Sequence, residues 1–260
     1  VADRVSWVGL SAAGVLLLLA VTEALTFDLS ATPALWVAPL LLYLLTYVIC
    51  FGDPSWVDRR WVGPVGTLAL VGLAALLGAG YAVGWRTQVA GQCGGLFFAC
   101  LLVHGELVRA RPHAAHLTSF YLWIAAGGAL GGVFAGLVAP LIFPMHLELH
   151  LAVLLAWGFF AHAWLRDRRR RASFAEARGP ATVVAVIGLG LALGVAAPAW
   201  SRLRGDTELF RSFFGTLQVK RYALAGDRGL VNLLDGRISH GFQYSAPARR
   251  REPTAYFVRH

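Results

Sequence analysis

Long apolar runs separated by short polar loops fill roughly the first 200 of 260 residues. They lie at Val5–Thr22, Ala34–Phe51, Val62–Val83, Val89–Val108, Leu117–Phe143, Leu147–Leu165 and Ala181–Trp200. From Val62 to Gly84, and from Ala181 to Trp200, there is no Asp, Glu, Lys or Arg. A hydrocarbon core of about 30 Å is crossed by about 20 apolar residues in a helix. The pattern therefore predicts seven spanning helices, the fifth ended or kinked by Pro140 and Pro144. The pattern changes beyond Trp200. Phe213–Tyr222 and Leu230–Leu234 read as short strands, with turn signals at Asp227-Arg-Gly229 and Asp235-Gly236. The expected fold is an all-α polytopic membrane protein with a small β-rich extramembrane tail. Residues 1–200 form its helical domain and 201–260 its tail.

Composition agrees. The chain is 57% hydrophobic and 14% charged, with a mean hydropathy of +0.61, whereas soluble domains carry about 25% charged residues. Most of the nine Trp residues fall near segment ends, where headgroup-level aromatic belts form. The basic residues cluster in alternate loops: Arg59 and Arg60, then Arg109 and Arg111, then Arg166, Arg168, Arg169, Arg170, Arg171 and Arg178. Lys/Arg excess marks the cytoplasmic side. The expected location is a bacterial inner membrane, with the N-terminus cytoplasmic and the tail periplasmic. The Arg166–Arg171 run reads as a topology anchor beside anionic lipid rather than a nucleic-acid site.

The five glycines Gly127, Gly128, Gly131, Gly132 and Gly136 form four-residue spacings that let helix backbones approach closely. They predict helix packing, within the chain or in a dimer. Cys50, Cys93 and Cys100 lie in or beside apolar runs, form no CxxC, and read as buried inert thiols. His162 stands in an apolar run and reads as a buried neutral histidine, or else an axial cofactor ligand. His146 and His150 would share one face of a helix, with Glu148 pointing elsewhere. Two imidazoles could begin a metal site, but no third ligand is apparent nearby. The expectation is no bound cofactor or metal. Glu23, Glu106 and Glu148 fall near segment ends rather than at the midplane, which argues against ion-coupled transport.

Two groups of motifs carry a family resemblance. One comprises Leu35-Trp36-Val37-Ala38-Pro39-Leu40, His104-Gly-Glu-Leu, Arg111-Pro112, Phe120-Tyr121-Leu122, Gly127–Gly132 and Ala139-Pro140. The other comprises Arg211-Ser-Phe-Phe-Gly215, Leu234-Asp-Gly236, His240-Gly241 and Pro253-Thr254-Ala255-Tyr256. Together they resemble bacterial fused major-facilitator/spermidine-synthase-like membrane proteins, including the β-rich lobe that precedes the nucleotide-binding domain. The resemblance implies a catalytic glycine-rich loop and an acidic base beyond that lobe, and this sequence carries neither. Ser239 also stands near the position of a Gln in related aminopropyltransferases.

The expectation is a non-catalytic protein: a structural or accessory subunit of a larger membrane complex, respiratory or photosynthetic. One alternative is an aminopropyltransferase-like membrane protein whose catalytic domain is absent from this chain. Another is a transporter-like protein. The expected partners are the lipid bilayer and other membrane subunits. Phe210, Phe213, Phe214 and Phe242 are the expected contact residues of a tail ordered by a partner.

Overall fold

The computed structural model describes residues 2–28, 32–171, 178–204, 207–212, 215–222, 229–236, 238–252 and 254. Its helices are α1 (Ala2–Asp28), α2 (Pro33–Gly52), α3 (Arg59–Ala79), α4 (Trp85–Arg109), α5 (Leu117–Val133), α6 (Ala139–Ile142), α7 (Glu148–Arg171) and α8 (Arg178–Arg204). Among the described residues, seven segments are long and apolar enough to cross a membrane, the stretch from α5 to α6 forming the fifth. Local chemistry sets several boundaries. Pro33 opens α2, where its missing N–H costs no helical bond. Asp58 caps α3 by accepting from the Arg60 N–H at 3.0 Å. Asp53 accepts from the Ser55 N–H at 2.9 Å, and hydrogen bonding from Ser55 holds its carboxyl below the usual carboxylate range.

Helix α4 runs through the middle. Its Leu96, Ala99, Cys100, Leu102 and Val103 are buried together with Leu17 and Val21 of α1, Leu70 and Leu73 of α3, and Ala152 and Ala156 of α7. Cys50 and Cys100 are buried, and Cys93 is partly so. Helices α2, α5 and α8 lie at the periphery. They expose Leu40, Leu41 and Leu44, then Leu122, Leu130 and Val133, then Val186, Leu189 and Leu193. In water such faces would be costly, but lipid tails are as apolar as leucine.

The glycine-rich fifth span packs on α1. A Cβ at Gly127 would lie 2.4 Å from the Val8 carbonyl oxygen, and one at Gly131 would lie 2.7 Å from that of Ala12. Gly128 faces Val15 and Ser11, whereas Gly132 and Gly136 face open space. Phe134–Val138 forms a π-helical turn between α5 and α6, closed by the Ala139 N–H donating to the Phe134 carbonyl. Pro140 follows at once and has no N–H to continue the α ladder.

The sheet-forming residues make a four-stranded antiparallel meander in the order β1 (Thr207–Ser212), β2 (Gly215–Tyr222), β3 (Leu230–Asp235) and β4 (Ile238–Tyr244). The sequence pattern located β2 and β3 and missed β1 and β4. Phe213 and Phe214 lie outside the described residues. Gly236 begins the β3–β4 turn at φ 55°, a left-handed value that glycine adopts without strain. The ladder shifts register between Leu233 and Leu234.

Candidate functional site

The sheet sits over one end of the helix bundle, and a cavity of about 350 Å³ lies between them. Alternation along the strands decides what enters it. Thr207 and Leu209 of β1 and Thr216, Gln218 and Lys220 of β2 line its roof. Leu73, Leu76 and Leu77 of α3 supply apolar wall. The other walls are polar: Glu23 from α1, Gln88 and Gln92 from α4, His146 from the α6–α7 loop, Glu148 and His150 from α7, and Arg202 from α8.

Arg211 of β1 is the centre of this end. Its side chain is 3% exposed. Nη1 donates to the Met145 carbonyl at 2.7 Å, and Nη2 donates to Glu148 Oε1. Nη2 also lies 3.7 Å from Glu23 Oε1. His146 Nδ1 lies 2.7 Å from the same Glu23 oxygen. Glu23, His146 and Glu148 thus bring one potential ligand atom each within 4.8 Å of one another. Glu148 is 1% exposed, yet its Oε2 has no hydrogen-bond partner among the described residues. The same holds for both ring nitrogens of buried His150 and for Gln92 Oε1. Gln92 Nε2 donates to Gln88 Oε1 at 3.1 Å, and Gln88 Nε2 to the Gly80 carbonyl at 2.7 Å. Buried polar atoms are rarely left unpaired, and a polar cavity of this size has room for water beside them.

This geometry corrects the helical reading of Met145–His150. His146 precedes α7 and shares no helix face with His150. The group that meets His146 is Glu23 from α1, and Glu148, expected to point away, brings a carboxylate oxygen within 4.8 Å of both. Glu23 and Arg211 carried no local signal, because each acts across more than sixty residues of sequence. Gln88 and Gln92 did carry one: two amides four apart in an otherwise apolar span.

His162 is exposed on α7, not buried. The buried histidine of the helical core is His104 on α4, which is fully buried. Its Nδ1 lies 2.9 Å from Thr46 Oγ1, and that hydroxyl donates to the Tyr43 carbonyl at 2.6 Å. With the hydroxyl proton so used, Nδ1 must be the donor, so His104 is the Nδ1–H tautomer. Tyr47 lies against its ring, the two centroids 3.9 Å apart. Nε2 has no partner among the described residues and sits where a Cβ at Gly14 would come within 3.1 Å.

The opposite, basic end is closed by ion pairs. Arg59 of α3 donates to both oxygens of Glu106, at 2.8 and 2.5 Å, and to Asp167 at 3.0 Å. Arg109 lies 3.3 Å from Glu106 and also donates to the Val57 carbonyl. The network joins α3, α4 and α7. Arg168 stacks over Trp164 at 4.7 Å. Arg166 lies half-buried and Arg169 exposed on the same helix, and the side chains of Arg170 and Arg171 lie outside the described residues.

The sheet's outer face carries an apolar patch beside Glu208, Arg221 and Asp235. Phe210 pairs with Leu217, and Val219 with Leu233, so these four project to one side. Phe210 is 55% exposed and Leu217 42%. Phe242 pairs with Asn232, on the face shared with Lys220. No known protein family, curated protein or solved structure matches this chain.

Proposed function

We propose that this chain is a non-catalytic integral membrane protein that serves as a structural or accessory subunit of a larger membrane assembly. One observation carries the reading: among the described residues, the sheet is used on one face and exposed on the other. Its inner face is pinned to the bundle through Arg211, Glu148 and Met145. Its outer face presents Phe210, Leu217, Val219 and Leu233 as a contiguous apolar patch. Exposed apolar patches rimmed by polar residues mark interaction surfaces. Here Glu208 and Arg221, paired at 2.7 Å, supply part of the rim. Because the inner face covers the bundle's end, the outer face points away from the bilayer. Its partner is therefore a protein rather than lipid.

The location follows from charge. The Arg59, Arg109 and Arg166–Arg169 end faces the cytoplasm of a bacterial inner membrane, and the sheet faces the periplasm. The spermidine-synthase-like resemblance favours a second reading, in which the patch receives a catalytic domain of the same polypeptide. The antiparallel meander is the kind of lobe that resemblance implies.

The test is mild solubilisation of native membranes followed by sizing of the intact particle. The expected result is one fixed-stoichiometry complex that dissociates when Phe210→Asp and Leu217→Asp are combined, while the thermal unfolding of the helical part is unchanged. A particle of this chain's mass alone, released from native membranes, would overturn the subunit reading. A longer polypeptide carrying a glycine-rich nucleotide-binding domain would establish the second.

A further inference from the structure

We propose that Glu23, His146 and Glu148 form a binding site for a divalent transition-metal ion of the zinc class, open on one side to the cavity beneath the sheet. The donor set is one imidazole nitrogen and two carboxylate oxygens. Such N/O sets suit zinc and its neighbours, with about 2.0–2.2 Å to each donor and an open position for water. Atoms bound to one ion at that distance can be at most about 4.4 Å apart. The three donor atoms already lie within 4.8 Å of one another, so small side-chain rotations complete the site. They come from three separate places: α1, the α6–α7 loop and the first turn of α7.

The second observation is the unsatisfied Glu148. Its side chain is 1% exposed. Oε1 accepts from Arg211, and Oε2 has no hydrogen-bond partner among the described residues. An anionic oxygen buried without a donor is costly. A cation at that oxygen removes the cost. Arg211 fits the role of an outer partner that fixes a ligating carboxylate by its other oxygen. It also leaves room for the charge. With His146 neutral, as a metal ligand must be, two carboxylates against one guanidinium leave a formal −1 at the cluster, which a divalent ion offsets. His150, two residues further along α7 and also without a hydrogen-bond partner among the described residues, lines the same cavity and can take a hydrogen bond from metal-bound water.

The test uses the full chain, tag-free, in detergent after chelator treatment. Titration with Zn²⁺ by calorimetry, and with Co²⁺ by visible absorption, should show one ion per chain. The Co²⁺ spectrum should lack a thiolate charge-transfer band, since the cysteines lie elsewhere. His146→Gln and Glu23→Gln leave the Arg211–Glu148 pair intact and should each weaken binding by more than about 100-fold, beyond what outer-partner changes cost. Glu148→Gln should abolish binding. Thermal unfolding without metal identifies any variant that fails to fold. Absence of stoichiometric binding would overturn the proposal. So would affinity unchanged in both His146→Gln and Glu23→Gln.

Discussion

Arg211 and Glu148 form an ion pair that joins the sheet to the membrane bundle across 63 positions of sequence, with side chains 3% and 1% exposed. Removing one partner of a buried pair strands the other charge, at a cost of about 3–5 kcal/mol. Arg211→Met should therefore release the sheet, exposing strand β2 to protease and to amide exchange at Thr216, while the helices stay folded. Replacing both charges with apolar groups, Arg211→Met with Glu148→Leu, should restore much of the protection. Equal protection of β2 in the wild type and in Arg211→Met would show that other contacts hold the sheet.

The glycines of α5 make a sharper pair of expectations. Gly127 has its would-be Cβ at 2.4 Å from backbone, which cannot rotate away, whereas Gly132 has nothing within 4 Å. Gly127→Ala should destabilise by at least the roughly 1–3 kcal/mol of an overpacked core. Gly132→Ala should be neutral or slightly stabilising, since alanine is the better helix former. Thermal unfolding in detergent measures both. Similar losses in the two variants would mean that the α1–α5 contact is not as close as described.

These two cases show where the sequence was legible. The seven spans and their alternation follow from runs of about 20 residues without charge, a signal that needs no tertiary information. The small-residue spacing of Gly127, Gly128 and Gly131 pointed to close packing, but not to α1 as the neighbour. Strands β1 and β4 were not legible. Thr207–Ser212 alternates in burial only once it lies against the bundle, and Ile238–Tyr244 contains Gly241 at φ 143° beside a register shift. The sheet-end cluster was illegible for a different reason. Glu23 sits near the end of one span, His146 in a loop and Arg211 in a strand, so no periodicity connects them. His162 misled because an apolar run does not say which of its sides faces lipid.

His104 yields a prediction about tautomer and hydroxyl. Thr46 accepts from the His104 Nδ1–H while donating to the Tyr43 carbonyl. Thr46→Val is close in shape but removes the acceptor, leaving a buried N–H unpaired at a cost of about 1–3 kcal/mol. Thr46→Ser keeps the oxygen and should keep most of the stability. The two melting temperatures, measured in the same detergent, separate hydrogen bonding from packing. Equal losses in Val and Ser variants would assign the effect to the methyl group instead.

Topology is the last expectation, and it joins the charge pattern to the fold. An odd number of crossings puts the two ends of the helical bundle's chain on opposite faces, and the described residues include seven helical segments apolar enough to cross. Arg59 and Arg109 cluster with Glu106 and Asp167 at one end, and Trp7 donates to the Ala110 carbonyl at 3.0 Å at that same end. The sheet closes the other end through Arg211. Ser55, in the turn before α3, and Ser245, just after β4, are both exposed. In sealed inner-membrane vesicles of known orientation, Ser55→Cys should react with an impermeant maleimide from the cytoplasmic side only, and Ser245→Cys from the periplasmic side only. Native Cys50 and Cys100 are buried, and Cys93 lies within α4, so background labelling should be low. Labelling of both engineered sites from one side would break the seven-crossing topology. Labelling of each from the unexpected side would keep seven crossings and reverse the orientation assigned from the arginines.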